Sequence, residues 1–256
     1  MLKKIVIGLV IVAVLGGAAL FVLDRTIFAP TAVSSAIPVA PTIAAPKAAA
    51  PTTSAATKAP SAAQSAAQPT TAAAPTGAGQ LYHIDAAHSE VHYEVNETFL
   101  QGNRLNTAIG RTKGIAGDIL INAADPSKSQ IGDIVIDISQ FTSDESRRDN
   151  FIRNSGLESA KYPQATFKTT SITGLPAKVN VGDEVSFSIS GDLTVKQTTK
   201  PATWQVTLKL TDTGLSGEAT TQIKMSDFGV GPLKLPILQT EDDVKLVFDF
   251  VATAQG

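Results

Sequence analysis

Apolar and polar side chains alternate with a period of two over most of the chain beyond residue 80. This is the pattern of strands with one face in a core and one in water. The clearest run sets Val185, Phe187 and Ile189 against Ser186, Ser188 and Ser190. Gly191 interrupts it, yet Leu193 and Val195 resume in the same phase, so a bulge or sharp bend is expected there, not a strand end. After a polar turn around Gln197 to Pro201, Trp204, Val206, Leu208 and Leu210 alternate again. Two long amphipathic strands, one bent and joined by a turn, begin a curled or closed antiparallel sheet.

The same rhythm recurs before and after this pair. Val91, Tyr93 and Val95 oppose Glu90, His92 and Glu94. Ile115, Ile119 and Ile121 follow, with Gly114 and Gly117 inside the pattern. Ile134, Ile136 and Ile138 make another run, as do Ala165, Phe167 and Thr169. The segment 215–223 continues the alternation, and Val244, Leu246, Phe248 and Phe250 close it. Between Ser143 and Lys161 the period changes. Ser143 or Asp144 can cap a short helix with Phe151 and Ile152 on its apolar side, and Tyr162-Pro163 ends it. Eight or nine strands, one helical insertion and no βαβ rhythm predict an all-β antiparallel barrel or sandwich. Periodicity does not choose between the two.

The N-terminal third reads differently. Ile5 to Leu23 is a 19-residue run without a charge, roughly 28 Å as a helix, which matches the hydrocarbon thickness of a bilayer. Lys3 and Lys4 precede it and keep the N-terminus cytoplasmic. Residues 1–28 are therefore expected to be a single-pass membrane anchor or a cleaved signal peptide, the length favouring the anchor, with the remainder extracytoplasmic. Residues 29–80 hold 20 Ala, 8 Pro, 8 Thr and 5 Ser, with no aromatic or acidic side chain. Such a segment buries too little apolar surface to offset its ordering entropy and reads as a disordered linker. Residues 81–256 form the expected globular domain.

That domain carries 16 Lys and Arg against 22 Asp and Glu, which gives no basic surface for nucleic acid. The chain has no cysteine, so disulfides, thiolate metal sites and lipid attachment at an N-terminal cysteine are excluded. No Gly-x-Ser-x-Gly elbow or phosphate-cradling Gly-Lys-Ser/Thr motif occurs, and no carboxylate pair stands out from a solvated face. The expectation is a non-enzyme without cofactor. His88, Glu90, His92 and Glu94 share a parity that could chelate a metal. The opposite parity holds Val91, Tyr93 and Val95, so this reads as a solvated face, with no metal.

Ile84-Asp85-Ala86-Ala87-His88-Ser89-Glu90-Val91 resembles the opening strand of the YceI-like, lipocalin-like lipid-binding proteins. Arg148-Asp149 followed by Leu157 to Phe167, then Gly191-Asp192-Leu193-Thr194-Val195 with Thr199-Lys200-Pro201, and Ser226 to Gly231 are similar to further motifs of that family, in its order. The resemblance covers roughly 81–252. It implies a lipocalin-like antiparallel barrel around an elongated apolar cavity, and a long isoprenoid or fatty chain as partner. The chain departs from the family at Gln197, where a glycine is common, and in the stretch Asn96 to Asn106 after the first long strand.

The expected cavity lining is Tyr93, Val95, Phe99, Leu100, Phe151, Phe167, Phe187, Trp204 and Phe228. Arg148 is the head-group candidate, through paired N–H donors to a polar or phosphorylated group. Its structural alternative is an Arg-Asp pair with Asp149 that fixes the helix to the sheet. Phe228, beside Gly229, either edges the cavity or turns a strand. The functional expectation is a membrane-tethered, extracytoplasmic lipid-binding protein. The alternative is a stalk-displayed structural or interaction β domain without ligand.

Overall fold

The computed structural model describes residues 29–31, 33–44 and 79–255. The expected anchor at 1–28 and the linker at 45–78 lie outside these, while Gln80, the last residue of the expected linker, already opens the first strand. Among the described residues no helix is long and apolar enough to cross a membrane.

The strands are β1 (Gln80–Ile84), β2 (Glu90–Phe99), β3 (Arg104–Thr112), β4 (Ile115–Ala116), β5 (Asp118–Ile121), β6 (Gln130–Ile131), β7 (Ile134–Asp137), β8 (Gln164–Thr173), β9 (Glu184–Val195), β10 (Thr198–Leu210), β11 (Gly214–Lys224) and β12 (Leu238–Ala254). They form one antiparallel sheet in the order β4-β7-β8-β9-β10-β11-β12-β1-β5-β6. β4 and β5 are separated only by Gly117, so the path returns to its start and the sheet curls on itself. A barrel, not a two-sheet sandwich, is the outcome.

β12 is long enough to serve two neighbours. Its last three residues, Ala252 to Ala254, pair with β1, while Leu238 to Asp249 pairs with β2. β2 continues into β3 through a turn containing Gly102 and Asn103, both at positive φ. The stretch Asn96 to Asn106 is thus a strand extension with a short turn at its tip. The outer edge of β3 meets the rest of the barrel through one bridge, Arg111 to Thr142. The helical insertion fills this seam. It comprises the turn Ile138–Gln140, helix α1 (Ser146–Phe151) and a wider π turn, Ile152–Gly156. The cap of α1 is Glu145, whose carboxylate accepts the Arg147 N–H. Ser143, an expected cap, instead donates its N–H and hydroxyl to Asp149.

The bend expected at Gly191 belongs to the neighbouring strand. The pairing of β8 with β9 shifts between Thr169 and Ser171, opposite Gly191, and a Cβ on Gly191 would run into the Lys168 carbonyl. The glycine permits the close approach, and the extra residue lies on β8.

Part of the expected linker is laid against the barrel. The Asn154 side chain donates to the Ala29 carbonyl at 2.9 Å, Arg153 Nε to Thr31 Oγ1 at 3.1 Å and Gln140 to the Ala36 carbonyl at 2.7 Å. At the far end of this strap the Ile43 N–H donates to Asp118 at 3.0 Å, and Pro38 is buried on the way. In residues 29–31 and 33–44 these contacts depend on hydrogen-bonding partners supplied by the barrel, which the composition of the segment does not state.

Candidate functional site

The inward parity of the strands is continuous. β9 turns Val185, Phe187, Ile189 and Leu193 inward, and β10 turns Trp204, Val206, Leu208 and Leu210 inward. They enclose a cavity of about 250 Å³ that runs from Pro126, Leu175 and Val179 at one end to Phe151, Ile152 and Val230 at the other. Its lining on β9 alone extends from Val185 to Val195, roughly 33 Å at about 3.3 Å per residue. A small volume drawn out over that length is a thin channel, the shape of one linear chain. Rings line it in contact: Phe167 meets Trp204 edge to face at 5.9 Å, and Tyr93 meets Phe141 at 5.3 Å. The Trp204 indole N–H has no acceptor among the described residues.

Tyr93, Val95, Phe151, Phe167, Phe187, Trp204 and Phe228 all line this cavity, as does Arg148. Phe99 and Leu100 do not. They lie at the tip of the β2–β3 hairpin, where Arg104 sits over the Phe99 ring at 5.4 Å and Leu100 is 49 % exposed. Their apolarity suggested the cavity, but the extended hairpin carries them past it. Phe228 both lines the cavity and precedes the turn, with Gly229 at φ 64° ending it.

Sequence reasoning missed Glu97. It shares the parity of Val91, Tyr93 and Val95, so the alternation itself places it inside. It is 4 % exposed. The same parity argument yields the missed lining residues Leu246, Phe248 and Phe250 from Val244. Glu97 and Arg148 are the charged side chains of the lining. Glu97 Oε1 accepts Arg148 Nη2 at 3.0 Å and Asn106 Nδ2 at 2.7 Å. Arg148 Nη1 donates to Asp144 at 2.5 Å and to Ser143 Oγ at 3.2 Å. The expected Arg148–Asp149 pair is therefore replaced by Arg148–Glu97, which ties the helical insertion to β2. Adjacent residues on one helix turn point apart, whereas Glu97 faces the guanidinium across the seam.

Burial pulls the Arg148 guanidinium down, but the bond it donates to Asp144 and the Glu97 charge outweigh it and leave its pKa raised. The Tyr93 hydroxyl is pushed far above its ordinary value, first by burial and then by the Asp149 carboxylate. The surroundings disfavour a new anion. Lys196, at φ 57° in the β9–β10 turn where Gln197 replaces the family's common glycine, is also committed. It pairs with Glu158 at 2.5 Å and donates to the carbonyls of Gly156 and Gly229.

The histidines sit outside the cavity lining. His83 pairs with Asp118, His88 with Asp85 at 2.6 Å, and His92 lies 3.4 Å from Glu94. Among the described residues no three ligating groups converge on a metal position.

The YceI-like domain matches residues 82–252. Protein YceI of Escherichia coli O157:H7 is 31 % identical over 130 residues, which is 47 % of this chain and 62 % of that protein. A UPF0312 protein of Shewanella oneidensis is 29 % identical over 129 residues, 50 % of this chain and 61 % of its own length. The chain thus spans under two thirds of the relatives it matches. Among solved structures, Burkholderia cenocepacia BcnA superposes with a TM-score of 0.52 at 24 % identity, covering 66 % of this chain and 99 % of that one. A polyisoprenoid binding domain from Saccharophagus degradans, implicated in plant cell wall breakdown, gives 0.50 at 18 % identity, covering 68 % and 98 %. At these identities the structures share the fold. With the domain match extending over two thirds of its length, and the barrel, seam and apolar channel in place, the chain belongs to the YceI-like domain family.

Proposed function

We propose that the protein holds one long apolar chain, isoprenoid or fatty, inside the barrel while tethered at the extracytoplasmic face of a membrane, and that it is a binding protein and not an enzyme. The observation that carries this is the thin channel lined over its length by apolar side chains, with one charged pair at one end. Moving a chain from water into it is favourable by about 0.8 kcal/mol per methylene. The polyisoprenoid binding domain among the solved relatives supports an isoprenoid cargo. The apolar run Ile5 to Leu23 supports the tether.

Trp204 supplies the test, because it is the chain's single tryptophan and lines the cavity. The full chain, held in amphipol, is titrated with a dibrominated fatty chain and with a long-tailed prenyl quinone. Both quench indole emission on contact. Saturable quenching at one ligand per protein, lost in Ala219→Phe where the new ring fills the channel, is expected. An unquenched Trp204 with both probes, and no apolar chain in a solvent extract of the purified protein, overturns the reading and leaves the ligand-free interaction domain in its place.

A further inference from the structure

We propose that the Glu97–Arg148 pair makes this cavity select chains ending in an uncharged polar group, a hydroxyl or a quinone carbonyl, and reject those ending in a phosphate. The inference rests on the chain-binding reading above and names which class of chain that site takes.

An arginine at the end of an apolar channel invites a phosphorylated head group, since two parallel N–H donors suit its oxygens. Here the charge is already met. Arg148 is engaged by Glu97 and by Asp144, and Glu97 lies inside the cavity wall where a head group would have to come. Asp149, buried on the same helix, adds a third carboxylate one step away, since it accepts the Ser143 hydroxyl to which Arg148 also donates. The other cations at this end, half-buried Lys196 and buried Arg153, are also committed. Lys196 is held by Glu158 and two carbonyls, and Arg153 by the Phe141 carbonyl, Asn150 and Thr31. A phosphate brought to this end would add charge beside the buried Glu97 and Asp149 carboxylates, which water screens poorly.

A neutral head group meets no such obstacle. Arg148 has five N–H donors, of which three are engaged, so hydrogen-bonding capacity remains for a carbonyl. Glu97 accepts both its donors at Oε1 and leaves Oε2 for a hydroxyl among the described residues. The pair thus offers a donor and an acceptor with its net charge spent.

Competition against the brominated fatty chain, read as the bromine that stays with the full chain after free ligand is removed, separates the possibilities. The competitors are a polyprenol, the corresponding polyprenyl phosphate and a quinone with a prenyl tail of equal length. The polyprenol and quinone are expected to displace the probe at concentrations at least about tenfold lower than the phosphate. In Glu97→Gln, which keeps shape and the Asn106 bond while freeing Arg148, that preference should collapse or invert. Equal or stronger displacement by the phosphate in the unaltered protein overturns this inference and leaves chain binding intact. Failure of both the brominated chain and the prenyl quinone to quench, with no apolar chain in a solvent extract, overturns the binding reading and the selectivity with it. Should Glu97→Gln fail to fold, the order of the three competitors on the unaltered protein still decides.

Discussion

The wall of β8 to β12 and the seam between β3 and β8 enclose the same channel by different means. In the wall every neighbour is joined by a strand ladder. Apolar side chains face in, and outside hydroxyls pair across strands: Ser190 with Thr203 at 2.9 Å and Thr194 with Thr199 at 2.8 Å. In the seam the ladder is reduced to a bridge, and closure is left to the helical insertion, the Glu97–Arg148 pair and the strap 29–44. Rigidity is concentrated in the wall, and the polar choices that can distinguish one cargo from another are concentrated in the seam.

The wall should be the harder to alter. Gly191→Val drives a side chain into the Lys168 backbone, which the β8–β9 ladder holds in place, and should cost about 4 kcal/mol or prevent folding, as read by denaturant unfolding. A variant of near-native stability would show that β8 can yield at its bulge and that the wall is softer than argued. The seam should respond less. Glu97→Ala leaves Arg148 partly buried with Asp144 and Ser143 as its remaining partners and should cost about 2–3 kcal/mol, below the usual range for a broken buried pair because the guanidinium is not abandoned. A neutral result would mean that the pair serves recognition without holding the insertion.

Alkaline pH probes the seam from another direction. Tyr93 ionises above its ordinary value of 10.0 in the folded protein, so between that pH and its folded pKa the unfolded chain has fewer bound protons than the folded one. Stability is then full below about pH 10 and falls as pH rises, by up to about 1.4 kcal/mol per unit from this group. Tyr82, raised by burial, adds to the same slope. Tyr93→Phe should flatten the fall above pH 10 and leave stability at neutral pH little changed. An unaltered alkaline slope in that variant would show that Tyr93 reaches water once its neighbours move.

The wall was legible because a period of two states both the strand and its inward face; Phe187, Trp204 and Phe167 follow from parity alone. The seam was not. Glu97 could have been found on the inward parity of β2, but a carboxylate inside an apolar channel is placed there only by its partner Arg148, 51 residues away. The reach of the β2–β3 hairpin, which carries Phe99 and Leu100 beyond the cavity, depends on β12 being long enough to pair with two strands at once. Residues 29–44 follow the same rule, since their partners Asp118, Gln140, Arg153 and Asn154 are spread over two distant segments.

The strap offers the smallest expected effect and the finest distinction between the two regions. Deleting residues 29–44 removes four hydrogen bonds to the barrel among the described residues, each worth about 1 kcal/mol, together with the burial of Pro38, and releases an ordering entropy that offsets most of this gain. The net loss of global stability should be near 1 kcal/mol. The local effect is not spread evenly, because among the described residues the hydrogen-bond partners of the strap belong to the seam or to β5 and none to the wall. Amide hydrogen exchange should therefore quicken in segment 138–156 and around Asp118 while β9, β10 and β11 keep their protection. Uniform quickening would mean that the strap supports the barrel as one cooperative unit. Quickening confined to the seam would make the strap a fastening of the side where the polar pair meets the cargo, with the wall indifferent to its loss.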